Sequence, residues 1–128
     1  MNLRKYQNLK HKTNTLVAFV YINLSFNNTL ITITNIHGKT ISFGAGGFLG
    51  LKGARRSTAY AGQTVALLLG KKLFSLGFRY ILLNLSGFGS ARKTVLKGLI
   101  SSKLKVLRVR DTTSIAHNGC KSKKKRRI

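Results

Sequence analysis

Two apolar runs limit the fold more than any other feature of this chain. Residues 16–26 (LVAFVYINLSF) are rich in β-branched and aromatic side chains, and the first half of this run is apolar on both faces. Residues 80–85 (YILLNL) form a shorter run of the same kind. A strand that is apolar on both faces is typical of the covered inner strands of a sheet, and the second run favours parallel pairing. The sequence therefore predicts an α/β domain.

The segments around the first run complete a meander of three strands. Asn27-Asn28 is a two-residue turn motif, because asparagine tolerates a positive φ. Residues 29–36 alternate between apolar and polar side chains, as a strand with one wetter face does. His37-Gly38 predicts a second tight turn, and residues 39–43 predict the third strand.

Two helices are predicted where apolar residues recur at steps of three and four instead of alternating. The first has either Ser57 or Thr58 as its N-cap and Gly77 as the left-handed residue at its end. Its apolar face comprises Gly62, Ala66, Leu69, Leu73 and Leu76. The second helix has Ser90 as its predicted N-cap, with Ala91, Val95, Leu99 and Ile100 on its apolar face and Arg92, Lys93 and Lys97 facing outward.

The order of elements predicts the topology. A last strand at residues 104–110 completes the order β-β-β-α-β-α-β, which predicts a mixed five-stranded sheet with packed helices. Residues 1–15 and 111–128 have no apolar periodicity. We therefore expect a basic N-terminal arm (1–15), an α/β domain (16–110) and a basic C-terminal tail (111–128).

The charge balance indicates what the domain binds. The chain has 24 lysines and arginines, a single acid at Asp111 and a net charge of +23. Such a domain repels itself unless an outside anion neutralises it, and nucleic acid is the commonest such partner. An anionic membrane surface is the alternative. However, no apolar run is long enough to span a bilayer and the tail has no apolar face, so we predict no membrane partner.

The residue types present argue against enzyme activity. One aspartate cannot supply the carboxylate cluster that metal-dependent phosphoryl transfer needs. The histidines are far apart and the single cysteine gives no zinc motif. We therefore predict no catalytic residue, no metal and no cofactor.

The glycine-rich loop before the first helix is the best candidate for a binding site. It contains Lys52, Arg55 and Arg56, and it leads into a helix N-terminus, where free N–H groups and the helix dipole attract phosphate. Phe48, Tyr60 and Phe88 lie in or beside basic loops, where they either stack on bases or pack in the core. The tail carries six basic residues within 121–127. This composition predicts an extension that lies between RNA segments and becomes ordered on contact. The alternative interpretation is a nuclear-localisation signal.

Three blocks resemble a known family. They are residues 25–29 (SFNNT), 53–63 (GARRSTAYAGQ) and 117–120 (HNGC), the last followed by a basic run. In their order and spacing they resemble the universal small-subunit ribosomal protein numbered eleven in the bacterial scheme. The resemblance implies a ribonuclease H-like fold without nuclease activity and a place on the platform of the small subunit, near the exit path of the messenger. It implies small-subunit rRNA as the partner, with small-subunit proteins eighteen, twenty-one and seven as neighbours and messenger RNA as a further contact.

The resemblance also assigns RNA-contacting positions. These positions are Asn27, Asn28, Lys52, Arg55, Arg56, Ser57, Thr58, Arg92, His117, Asn118, Lys121, Lys123, Lys124, Lys125, Arg126 and Arg127. The loop at residues 86–92 departs from the Gly- and Pro-rich pattern of the family, and only Arg92 carries over there. The tail lacks the prolines of the family, since this chain has none.

The remaining expectations concern the compartment and the rival functions. Leu, Lys, Asn, Ile and Phe are plentiful while proline and acids are scarce, a bias expected from an AT-rich genome. We therefore expect a mitochondrial ribosome, with a plastid ribosome or the bacterial cytoplasm as alternatives. The rival functions are an enzyme of the nuclease-like fold and a general nucleic-acid chaperone without a fixed site.

Overall fold

A computed structural model describes residues 16–127; the predicted N-terminal arm and Ile128 lie outside the described residues. Five strands and two helices follow one another in the predicted order β-β-β-α-β-α-β. The bounds are β1 Leu16–Leu24, β2 Thr29–Thr34, β3 Thr40–Ala45, α1 Ala59–Ser75, β4 Phe78–Gly87, α2 Arg92–Ser101 and β5 Lys105–Asp111. Between β3 and α1 lie two short 3₁₀ segments, Gly46–Leu49 and Gly53–Ser57.

The strands form one mixed sheet in the order β3-β2-β1-β4-β5. Strand β2 is antiparallel to both of its neighbours, whereas β1, β4 and β5 are parallel to one another. The long apolar runs thus occupy β1 and β4, two of the three inner positions, where pairing on both edges satisfies the backbone. The predicted mixed five-stranded α/β fold is confirmed, and the topology agrees with the ribonuclease H-like fold that the resemblance implies.

Both helices lie on the same face of the sheet. The main core joins the even-numbered positions of β1, such as Val20 and Ile22, to the apolar faces of α1 and α2. The helices pack closely because glycines face the neighbouring helix. A Cβ placed on Gly62 would lie 2.6 Å from the Cβ of Ala91, and one on Gly98 would lie 2.5 Å from the carbonyl oxygen of Gln63.

The other face of the sheet has no helix over it in the part of the chain described. Val17, Phe19 and Leu82 are nevertheless buried there, with Ile36 and Tyr80 packed against them. This confirms that the first half of β1 is covered on both sides. Further along the same strand, Tyr21 is 44% exposed. The helix-free face is therefore buried near the start of β1 and exposed to solvent nearer its end.

Several local predictions were right. Thr58 is the N-cap of α1, and Gly77 follows the helix with a φ of +89°. On the predicted apolar face of α1, Gly62, Ala66, Leu69 and Leu73 are buried, whereas Leu76 is half exposed. Leu76 deviates because it lies beyond the last helical residue, where the periodicity of the helix no longer sets its direction.

Three other local predictions were wrong. The turn predicted at Asn27-Asn28 is present and spans residues 25–28, but neither asparagine has the positive φ expected there. The Ser25 hydroxyl accepts from both of their backbone N–H groups. Ser90 does not cap α2; Ala91 precedes that helix without a side-chain cap. Ile100 is 58% exposed, because it lies about 100° around the helix from Leu99 and so points away from the buried face that Val95 and Leu99 share.

Candidate nucleic-acid interface

The predicted binding segments meet at one edge of the sheet. Strands β1, β3, β4 and β5 all end there, because β2 is antiparallel to β1 and β3 while β4 and β5 are parallel to β1. Four segments emerge from these ends: the turn at residues 25–28, the loop at 46–58, the loop at 88–91 and the tail from 112. We call these four segments together the loop edge.

Hydrogen bonds and close packing tie the four segments together. The Ser90 hydroxyl donates to the carbonyl oxygen of Ser57 (2.9 Å), joining the two loops. Gly89 packs against the turn, since a Cβ there would lie 3.2 Å from the carbonyl oxygen of Ser25. The tail is attached through Thr112, whose backbone N–H donates to the carbonyl of Leu85 (2.7 Å). Segments that are far apart in sequence therefore form one continuous surface.

The loop at residues 46–58 presents its basic side chains to solvent. Lys52, Arg55 and Arg56 are all exposed. Lys52 and Arg55 line a cavity of about 280 Å³ together with Gly50 and Leu51. No acidic side chain can pair with them, because the sole acid of the chain, Asp111, is bound to Arg92. The cavity is thus a basic recess that is large enough for a phosphate group.

The conformation of this loop is determined by tight backbone packing. Gly50 has a φ of +72° and ends the first 3₁₀ segment in the left-handed region. Gly46 packs so closely on the carbonyl of Arg56 that a side chain there would collide with it. The two short segments therefore fold against each other, and the three basic side chains are presented from an ordered scaffold.

The two predicted RNA-binding hydroxyls in this loop have structural partners. Thr58 Oγ1 accepts from the Ala61 N–H (3.2 Å) and donates to the Arg55 carbonyl (2.8 Å). Ser57 Oγ donates to the Ala54 carbonyl (3.1 Å). Both hydroxyls thus stabilise the start of α1 and the preceding turn. Their contact with RNA stays a prediction.

Arg92, predicted to face outward and to bind RNA, instead turns toward the base of the tail. Its guanidinium donates to the Gly87 carbonyl (3.0 Å) and to the Asp111 carboxylate. Two protein acceptors hold the side chain, which explains why it is less exposed than the neighbouring Lys93. Its direct contact with RNA also stays a prediction, whereas its contact with the tail base is a feature of the fold.

Asp111 organises the first residues of the tail. Its carboxylate accepts from the Thr113 hydroxyl (2.6 Å) and the Thr113 N–H (3.0 Å), and Thr113 Oγ1 accepts in turn from the Gly87 N–H (3.1 Å). The two hydrogen bonds from Thr113, and then the Arg92 guanidinium, lower the pKa of Asp111 from 3.8 to about 2. The carboxylate is therefore ionised throughout the physiological range.

Beyond Thr113 the tail extends away from the domain. Residues 114–127 contain no helix or strand and are all exposed. This stretch includes the predicted contacts His117 and Asn118, the latter with a φ of +55°, and the six basic residues that follow. Cys120 is an exposed free thiol. The tail is thus fixed at its base and free to follow a partner along the rest of its length.

The structure decides the alternatives for the three aromatic residues in or beside the basic loops. Phe48, Tyr60 and Phe88 are each more than 60% exposed. The core-packing interpretation is therefore wrong for all three, and their rings remain accessible for stacking. Asn27 is exposed in the neighbouring turn, while Asn28 uses its Oδ1 to accept from the Thr29 N–H (2.9 Å).

Sequence reasoning missed the residues that hold the loop edge together. Ser90, Thr112 and Thr113 were not identified as contacts, since they are common polar residues without a motif. One signal was available: a chain with a single acid must pair that acid with one of its many cations.

No helix in residues 16–127 is long and apolar enough to cross a membrane. The same residues contain no group of three or more metal-ligating side chains.

Comparison with known proteins identifies the family. The model of the family described as "Ribosomal protein S11" matches residues 18–127. The chain belongs to the ribosomal protein S11 family.

Individual relatives agree with this assignment. The small ribosomal subunit protein uS11 of Methylobacterium radiotolerans is 42% identical over 119 residues, which cover 93% of this chain and 92% of the relative. The uS11 protein of Methylorubrum populi matches to the same extent. The uS11c protein of Tupiella akineta is 42% identical over 109 residues, covering 85% of this chain and 84% of the relative.

Membership of the ribosomal protein S11 family bears on the earlier predictions. The resemblance identified from three sequence blocks is confirmed, and so is the prediction that the chain is a structural ribosomal component rather than an enzyme. The matched region contains every predicted RNA-contacting residue from Asn27 to Arg127. The relatives include bacterial and plastid forms, so they support a ribosomal location without selecting the compartment.

Proposed function

We propose that this chain is a structural constituent of the small ribosomal subunit that binds and positions small-subunit rRNA through the loop edge. The observation that carries the proposal is the convergence of four segments on one edge, where three exposed basic side chains and the basic tail have no acid to pair with. A folded polyanion is the partner that neutralises such a surface. Family membership supports the same partner.

The proposed mechanism is recognition of RNA shape by contacts with the backbone. Lys52 and Arg55 flank a recess of phosphate size, and Arg56 follows on the same loop. The start of α1 adds the positive end of a helix dipole beside them. Contacts of this kind fix the register and orientation of the protein on RNA without reading its sequence. The exposed rings of Phe48, Tyr60 and Phe88 add stacking on unpaired bases.

The tail extends this surface into a cleft between RNA helices. Its base is held by Asp111 and Thr113, so the six basic residues within 121–127 leave the domain from a defined point. Anchoring one end lowers the entropy lost when the rest of the tail becomes ordered on RNA. His117 and Asn118 lie between this anchor and the basic run, where they add polar contacts to the same RNA.

Footprinting on small-subunit rRNA tests the proposal. The wild-type chain should protect a few discrete helices, and Lys52→Gln/Arg55→Gln/Arg56→Gln should weaken that protection. The matched control is Lys71→Gln/Lys72→Gln/Lys103→Gln, which removes the same charge from exposed positions near the far ends of the helices. Equal effects of the two triple variants, or diffuse protection by the wild type, would favour a nucleic-acid chaperone without a fixed site.

The finer location within the ribosome is part of the proposal. The family resemblance supports a place on the platform near the messenger exit path, next to small-subunit proteins eighteen, twenty-one and seven, with messenger RNA as a further contact. The scarcity of acids and proline supports a mitochondrial ribosome. A cryo-EM map of native mitochondrial small subunits tests both points: density for this chain beside those neighbours is expected, and its presence only in plastid or bacterial particles would contradict the mitochondrial proposal.

A further inference from the structure

One row of side chains crosses the helix-free face of the sheet from edge to edge. Thr32 is in register with Phe43 on one side and with Tyr21 on the other. Tyr21 is in register with Asn84, and Asn84 with Arg110. Because partners in register point to the same face, all five side chains lie side by side on the open part of this face.

This row combines exposed aromatic rings with polar and cationic groups. Phe43 is 63% exposed and Tyr21 44% exposed, and Arg110 is also exposed. The ring of Phe43 meets that of Phe48 edge to face, with 5.5 Å between centroids, which fixes its orientation. Neighbouring strands are about 4.8 Å apart, so about 10 Å separates Phe43 from Tyr21 and Tyr21 from Arg110.

We propose that this row is a platform for unpaired RNA bases. Exposed aromatic rings on a sheet, with amides beside them and cations at the margin, have the chemistry that stacks single-stranded bases, pairs with their edges and binds the phosphates. The row spans four strand spacings, about 19 Å, and its two exposed rings suit the stacking of about two bases. The proposal rests on the proposed function and extends it to a second surface, on the face opposite the helices.

Charge and continuity favour RNA over a protein partner. The basic residues Lys105 and Arg110 on the edge strand β5 are exposed, and Asp111 is bound to Arg92. Arg110 directly precedes the anchored base of the tail, so RNA on the platform would continue onto the loop edge. Phe48, which contacts Phe43, belongs to the basic loop of that same edge. A single-stranded segment leaving the rRNA helices at the loop edge therefore has a direct path to the row.

The test measures the affinity of the full chain for two probes at elevated salt. One is a ten-nucleotide oligouridylate, and the other is an abasic oligonucleotide of equal length. Each stacked base should favour oligouridylate by about 5- to 150-fold. Tyr21→Ala/Phe43→Ala should reduce this preference at least about fivefold while affinity for the abasic probe stays unchanged, which shows that the phosphate-binding surface is intact. Tyr21→Phe should retain the preference because it keeps the ring.

The control is Leu68→Ala, which removes a comparably exposed apolar side chain on the helical side of the molecule. A preference that the double variant leaves unreduced, or that falls equally with Leu68→Ala, overturns the platform. So does cross-linking of Tyr21 to a protein rather than to RNA in assembled small subunits. None of these results affects the proposed function, which fails only if discrete protection of rRNA by the loop edge is absent.

Discussion

Arg92, the first residue of α2, donates a hydrogen bond to the carboxylate of Asp111, the only acidic side chain among 24 lysines and arginines. The pair joins the start of a helix to the end of β5, the last strand before the tail. Since Asp111 also accepts twice from Thr113, it determines the direction in which the tail leaves the domain. The single negative charge thus orients the segment that carries six of the 24 basic residues.

Replacing Asp111 by asparagine distinguishes orientation from overall charge. Removing an acid from a cationic protein should strengthen RNA binding if only net charge mattered. We expect Asp111→Asn to weaken binding to small-subunit rRNA, because the tail base loses its ion pair and its direction. Affinity and amide-exchange protection of Thr113 are the measurements, with Lys93→Gln as a control that changes an exposed charge on the same helix. Tighter binding by Asp111→Asn would show that orientation is unimportant.

The same network predicts the acid response of the tail base. The pKa of Asp111 is lowered from 3.8 to about 2 in the folded protein. Its contribution to stability is therefore fully present above about pH 4 and is lost as the pH falls toward 2. Chemical shifts of the Thr113 amide should titrate near pH 2 and stay constant from pH 5 to 8. A midpoint near 4 would mean that the hydrogen bonds from Thr113 are absent in solution.

The basic tail should dominate the salt dependence of binding. Deleting residues 121–128 removes six basic side chains. If each neutralises one phosphate, the slope of log K against log salt should fall by about 4–6. Replacing the six basic residues by glutamine, which keeps the length of the tail, should have the same effect. An unchanged slope would show that the tail does not touch RNA.

The basic residues before α1 should have opposite effects on binding and on stability. Arg55 and Arg56 lie near a helix N-terminus, where the dipole disfavours positive charge. Arg55→Gln/Arg56→Gln should lower the salt slope of RNA binding by about 1.4–1.8. The free energy of unfolding should rise by about 0.3–1 kcal/mol per arginine at low salt. The control is Lys71→Gln/Lys72→Gln near the C-terminus of α1, which should lower the free energy of unfolding and leave the affinity for RNA unchanged.

Close helix packing makes Gly98 intolerant of a side chain. A Cβ there meets the backbone oxygen of Gln63 at 2.5 Å and the Cβ of Ala66 at 2.9 Å, and neither can move freely. Overpacking should cost about 1–3 kcal/mol, more than the gain of about 1 kcal/mol in helix propensity from glycine to alanine. Urea denaturation of Gly98→Ala should show a lower midpoint. Lys97→Ala, one position earlier and exposed, should not lower it.

Much of the fold was predictable because periodicity is a property of consecutive residues. The apolar runs of β1 and β4, the apolar faces of the two helices, the end of α1 before Gly77 and the basic tail without helix or strand all follow from local pattern and composition. The three sequence blocks were enough to identify the family. The choice between Ser57 and Thr58 as the N-cap could not be made locally, since both hydroxyls are adjacent and only the path of the chain selects Thr58.

The sequence by itself determined the order of elements, the unbalanced positive charge and the basic segments available to bind RNA. Only the tertiary structure decided which of these lie together. It turned Arg92 toward Asp111, 19 residues away, used Ser90 as a link between loops rather than a cap, and aligned Tyr21 with Phe43 and Arg110 across the open face. The physical reason is that pairing between strands and helix packing join residues that are distant along the chain, and no local pattern records such partners.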